Sequence, residues 1–108
     1  MDVLLLTTCD PPGRVEKVYG LVTANTVMAR GVGRDFLAGL KGLVGGEISE
    51  YKELLEQARE RALQELREKA REMGANAVIC VRFETSDIAQ AMAEILVYGT
   101  AVRLENTY

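Results

Sequence analysis

The C-terminal segment Ala91–Leu104 sets the strongest limit on the fold, because it is apolar on both sides of the strand it spells. Successive strand side chains point to opposite faces. Alternation therefore places Met92, Leu96, Tyr98, Val102 and Leu104 on one face and Ala93, Ile95, Val97 and Ala101 on the other. The segment Val15–Met28, rich in Val, Thr and Tyr, repeats the pattern, with Tyr19, Leu21 and Val27 set against Val18, Val22 and Ala24. Burial on two sides is normal for a sheet that helices cover on both faces. The fold therefore turns on how much helix the chain can supply.

It can supply little. The clear helix is Ser49–Met73. Ser49 is a good N-cap, since its hydroxyl can accept from a free backbone N–H, and Glu50 suits the positive end of the helix dipole. Tyr51, Leu55, Ala58, Ala62, Leu66, Ala70 and Met73 form one apolar stripe at three- and four-residue steps, widened by Leu54 and Leu63. Arg61, Glu65 and Lys69 lie on the charged outer face at i,i+4 spacing. Gly74 provides the left-handed stop, so the helix should run for about 36 Å. A second, shorter helix is expected from Asp35, where Phe36, Leu37, Leu40, Leu43 and Val44 fall at helical spacing before Gly45-Gly46. Gly39 and Gly42 each weaken it by up to about 1 kcal/mol.

Two further strands complete the set. Val3–Thr8 precedes the loop Cys9-Asp10-Pro11-Pro12-Gly13-Arg14, short enough to predict a hairpin with Val15–Met28. Asn76–Glu84 alternates, with Ala77, Ile79, Val81 and Phe83 on one side, and Thr85–Gln90 reads as the turn into the last strand. The predicted subunit is α+β, ordered ββααββ, with a largely antiparallel sheet. Four strands make a sheet about 19 Å wide, whereas a helix is about 10 Å across. Two helices cover one face of it. The other must curl into a barrel, stay exposed or meet another subunit, and large exposed apolar patches mark interaction sites. The expectation is a homo-oligomer.

Length and charge narrow the partners. A chain of 108 residues suits one domain, 1–108. Its net charge of −3, with acids and bases interspersed, argues against nucleic acid. The opening apolar run is too short for a signal peptide and lacks a basic flank. No stretch approaches the roughly 20 apolar residues of a membrane span, so no membrane partner is expected and the expected compartment is the cytoplasm.

Several local patterns occur together: Gly45-Gly46, Ala58-Arg59-Glu60, Gly74-Ala75-Asn76-Ala77-Val78 and Tyr98-Gly99-Thr100-Ala101-Val102, with Thr7-Thr8 ending the first strand and Gly20 two residues before Val22. Over nearly the whole chain they resemble the YbjQ-like family. The resemblance implies small α+β subunits that assemble as rings, pentamers in particular, and it carries a heavy-metal-binding label. Three positions depart from the family's pattern: Ala24 and Cys80 stand where glycine is common, and Cys9 where threonine is usual.

The label directs attention to the sulfurs. Soft metals take thiolate, imidazole or thioether ligands. The chain has two cysteines, no histidine and no CxxC, so one subunit holds no local zinc-type site. A soft metal ion would need Cys9 or Cys80 from several subunits gathered round a ring axis. Against this stands the plainer reading of both as small buried hydrophobes. No catalytic constellation is present. Without histidine a general base must be Asp, Glu, Lys or Tyr. Glu94, inside the apolar last strand, is read as a rim residue rather than a buried acid. Gly31-Val32-Gly33-Arg34-Asp35-Phe36 lacks the third glycine of a dinucleotide fingerprint, and Gly39-Leu40-Lys41-Gly42 matches a KH-type GXXG by spacing alone. Arg30, Arg34 and Lys41 flank Asp35 near a predicted helix start, where anions are favoured. They form a candidate anion site, set against ordinary surface charge. The expected function is a ring-forming binding protein with a metal or small ligand at its subunit interfaces. An enzyme with an intersubunit site and a purely structural scaffold are the alternatives.

Overall fold

The computed structural model describes residues 2–29, 49–89 and 92–105. The fold is α+β: strands β1 (Leu4–Leu5) and β2 (Val15–Ala29), helix α1 (Ser49–Met73), then strands β3 (Ala77–Ala89) and β4 (Met92–Leu104). The strands form one mixed sheet in the order β1-β3-β4-β2. β2 and β3 both run antiparallel to β4, and β1 runs parallel to β3. The short helix expected from Asp35 to Val44 lies outside the described residues.

Two expectations are corrected. β1 does not form a hairpin with β2. Leu4 and Leu6 donate their N–H groups to the carbonyls of Asn76 and Val78, at 3.0 and 2.8 Å, so β1 docks on β3 at the sheet edge. Pro11 and Pro12, which fix φ and carry no N–H, lead the chain away to the far side of the sheet. The second correction concerns Thr85–Gln90. Thr85, Ser86 and Asp87 pair with Ile95, Glu94 and Ala93, and Ala89 pairs with Met92. The long partner strand holds these polar residues in the ladder, and cross-strand context overrides their turn preference.

Helix α1 covers one face of the sheet, lying chiefly across β2 and β4. Ala58, Ala62, Leu66 and Ala70 are buried, as the apolar period predicts. Three of them are alanines, which lets the helix backbone approach a sheet surface made of Val22, Ala24, Val78, Val81, Val97 and Ala101. Leu66, fully buried, is the large side chain that fills the gap between the layers. Val3 joins this core from the chain segment just before β1.

The end of α1 is fixed as its glycine foretells. Gly74 sits at φ +98, in the left-handed region that glycine enters without a Cβ penalty. Gly74 N–H donates to Arg71 O and Ala75 N–H to Ala70 O, both at 3.0 Å, the paired bonds of a Schellman stop. Tyr19 Oη and Arg103 Nη1 each donate to Gly74 O at 3.1 Å. These two contacts join the helix end to β2 and β4. Asn76 then locks the end of β4, donating from Nδ2 to Leu104 O at 2.9 Å and accepting from Leu104 N–H at 2.7 Å.

Among the described residues the opposite face has no such cover over much of its area. Ala77, Val102 and Leu104 are buried there in a small cluster with Leu4, Val15 and Ile79. Along β2 on the same face, Val18, Leu21 and Val27 are 63%, 71% and 47% exposed; the register shift between Val18 and Gly20 brings Val18 to this face and turns Tyr19 to the helix side, the reverse of plain alternation. Leu96 and Tyr98 of β4 are half-buried beside them.

Candidate functional site

The most distinctive local geometry lies where β3 passes β1. The pairing with β4 steps from Ile79↔Thr100 to Arg82↔Tyr98. Cys80 and Val81 therefore stand opposite one residue, Gly99, which is the signature of a β-bulge. Gly99 makes the close passage feasible: a Cβ there would lie 2.6 Å from Val78 Cγ1 and 2.9 Å from Ile79 O. The bulge sets Cys80 at φ +59. That is left-handed backbone, uncommon for a residue with a side chain and open to glycine without a Cβ penalty.

The bulge also redirects backbone donors toward the chain after β1. Cys80 N–H donates to Thr8 O at 2.8 Å, and Val81 N–H to Leu6 O at 3.0 Å. The Arg82 guanidinium closes the junction, with Nη1 donating to Thr7 O at 2.8 Å and Val81 O at 2.9 Å. Around Cys9, Asp10 N–H donates to Thr8 Oγ1 while the Thr8 hydroxyl donates to Asp10 O, both at 3.1 Å. These bonds bring the two cysteine Cα atoms to 4.3 Å, and the sulfurs are joined as a disulfide across 71 positions of sequence.

The candidate ligands are thus neighbours within one chain. Neither is the buried hydrophobe of the plainer reading: Cys9 is exposed and Cys80 only half-buried. The sequence concealed their meeting because it depends on the parallel docking of β1 on β3. The one local clue was the departure at Cys80 that the family resemblance marks.

The other candidate residues divide plainly. Arg30, Arg34 and Lys41 lie outside the described residues. Glu94 is half-buried and its Oε2 accepts from Asn25 Nδ2 at 3.0 Å. Among the described residues no polar or charged side chain is buried, so the rim reading of Glu94 holds. Glu65 and Lys69, expected on the outer face, pair at 3.5 Å on the flank of α1 that meets β2, where Lys69 Nζ donates to Thr23 O at 3.0 Å. In the same C-terminal turns of α1, Asp2 accepts from Val3 N–H at 2.9 Å and pairs with Arg71, with Arg67 Nε 3.8 Å away. The Val3 N–H bond is the largest cause holding the Asp2 carboxyl below the ordinary carboxylate range; desolvation opposes it next, and Arg71 and then Arg67 add to the lowering.

A family profile described as "Putative heavy-metal-binding" (YbjQ_1) matches residues 3–105. The chain belongs to the YbjQ family. Its curated relatives are similar along almost their full length. A UPF0145 protein of Thermus thermophilus is 52% identical over 106 residues, covering 97% of this chain and 93% of its own. A UPF0145 protein of Dehalococcoides mccartyi is 47% identical over 104 residues, covering 95% and 100%. A crystal structure from Pediococcus pentosaceus, of a protein of unknown function in the DUF74 family, superposes with a TM-score of 0.63 at 18% identity. It covers 95% of this chain and 98% of that one, and the likeness shows that the fold is shared.

The donor set of this YbjQ chain can be tested against a heavy metal. Among the described residues no group of three or more His, Cys, Asp or Glu side chains gathers, so a borderline ion that wants four N, O or S ligands finds no cage there. The Cys9–Cys80 pair fits a softer ion in number and in kind once its sulfurs are thiolates, because the thiolate is the metal-ligating form. Joined as a disulfide, the pair offers none. Among the described residues no helix is long and apolar enough to cross a membrane.

Proposed function

We propose that this chain is the subunit of a ring-shaped homo-oligomer, a pentamer on its family resemblance, that binds a soft heavy metal or small ligand in the cytoplasm. Copies of the chain, rather than nucleic acid or membrane, are its partners. The observation that carries the reading is the open sheet face, where Val18, Leu21 and Val27 stand exposed beside half-buried Leu96 and Tyr98. Thr23 and Asn25 lie between Leu21 and Val27 on that face, and exposed apolar side chains rimmed by polar ones in this way suit an interaction site. The edge supports it too. β2 has 15 residues and, among the described residues, pairs on one side only, with β4. A long unpaired edge is a template for another chain. The family's heavy-metal description supports the ligand half of the proposal.

Light scattering of untagged protein at micromolar concentration, combined with metal analysis of the same fractions, tests both halves. The expected result is a mass several times that of one chain, with metal in fixed ratio to it. A single-chain mass would overturn the assembly, and a metal-free ring would remove the metal half.

A further inference from the structure

We propose that Cys9 and Cys80 form a redox-gated, two-thiolate site for a low-coordinate thiophilic cation such as copper(I), closed when the sulfurs are bonded and open when they are reduced. The inference rests on the metal-binding half of the reading above and does not need the ring.

Four observations carry it. First, the sulfurs are already paired within one chain, on Cα atoms 4.3 Å apart. Rotation about χ1 moves a sulfur between staggered wells, so the pair opens to admit an ion without moving the backbone. Second, the backbone at the junction is held by bonds that do not involve sulfur: Cys80 N–H to Thr8 O, Val81 N–H to Leu6 O, and Arg82 to Thr7 O. Reduction therefore leaves two thiols facing each other, a preorganised chelate rather than two loose ends. Third, the pair is reachable, with Cys9 exposed and Cys80 half-buried. A small reductant and an ion can approach, as thiol–disulfide exchange requires. Fourth, the Arg82 guanidinium is anchored on carbonyls of residues 7 and 81, within two positions of each cysteine. It places a fixed positive charge beside a site that becomes anionic when two thiolates hold one monovalent cation.

The donor count selects the ion class. The chain has two cysteines and no histidine. Thiolate favours copper(I) among soft ions, and two-coordinate copper(I) is satisfied by two sulfurs. The chemistry balances. A small dithiol transfers two electrons and two protons to the Cys9–Cys80 bond and leaves as its own cyclic disulfide, giving two protein thiols. Copper(I) then displaces both thiol protons to water and forms two Cu–S bonds. Disulfides are rare in reducing compartments and, where present there, are commonly transient or redox-sensing, which suits a bond that opens and closes.

The test compares protein reduced with a phosphine and desalted without oxygen against the same protein oxidised with diamide. Copper(I) buffered by a bathocuproine competitor is titrated into each, and native mass spectrometry counts ions and subunits together. Reduced wild type should take one copper(I) per chain. The oxidised protein, Cys9→Thr and Cys80→Gly should each bind at least 100-fold more weakly. Glycine suits the +59 backbone at position 80, so Cys80→Gly keeps the fold. Wild type capped with N-ethylmaleimide provides a second loss-of-thiol sample that depends on no substitution. Uptake that is equal in oxidised, capped and reduced samples, or no uptake by reduced protein, overturns the site. A ring without copper would sink this site alone, whereas a lone chain holding one copper would sink the ring alone.

Discussion

The two faces of the sheet are built from similar residues and meet different fates. On one, Val22, Ala24, Val97 and Ala101 lie under α1 and are buried. On the other, Val18, Leu21 and Val27 of the same β2 strand remain exposed. The contrast comes from α1, not from the strands. Its alanine stripe gives close approach over one surface, and α1, the one helix among the described residues and about 10 Å across, has no second face to offer the sheet. Apolar character in a strand thus reports demand for cover, while the helices settle where that cover comes from within the chain.

Three experiments press on this contrast. The largest effect belongs to the covered face. Leu66→Ala removes the main filler between helix and sheet and should cost about 2–5 kcal/mol, read from urea unfolding midpoints. A loss under 1 kcal/mol would mean that the layers collapse together without it. On the open face, Leu21→Ser should leave the subunit's own unfolding free energy within about 0.5 kcal/mol, as for other surface changes, while lowering the mass seen by light scattering. Unchanged mass would make this face ordinary solvated surface. The smallest effect concerns the tether between Asp2 and α1. The folded carboxyl titrates below its unfolded value. Its contribution is therefore present above the unfolded value and is lost as the pH falls through the folded one. Asp2→Asn should remove that acid-limb dependence and alter nothing at neutral pH beyond a slight loss. An identical acid limb in the variant would show that the tether does not matter.

Much of this was legible in the residues. α1 could be read through to its stop because a 3.6-residue period and Gly74 agree, and local agreement of that kind needs no knowledge of the rest of the fold. The two-sided character of β4 was equally plain. The partner of β1 was not, because parallel docking on β3 is decided by residues some 70 positions away. The ladder through Thr85–Asp87 escaped for a related reason: polar residues with turn preference are held in place by β4, which no local window contains. The sulfur pair inherited both difficulties. It exists only where the edge docking and the bulge at Cys80 coincide. The Arg30, Arg34 and Lys41 group lies outside the described residues.

The strand order has a consequence for how the molecule is made. β4 stands between β3 and β2, so β2 finds its partner only when the final strand arrives. During synthesis a long aliphatic ribbon must wait, unzipped, through the making of α1 and β3. Distant pairings of this type slow folding and prolong exposure of sticky edges. A newborn chain should therefore depend on chaperones at a stage when its helix is already formed and its sheet has no centre.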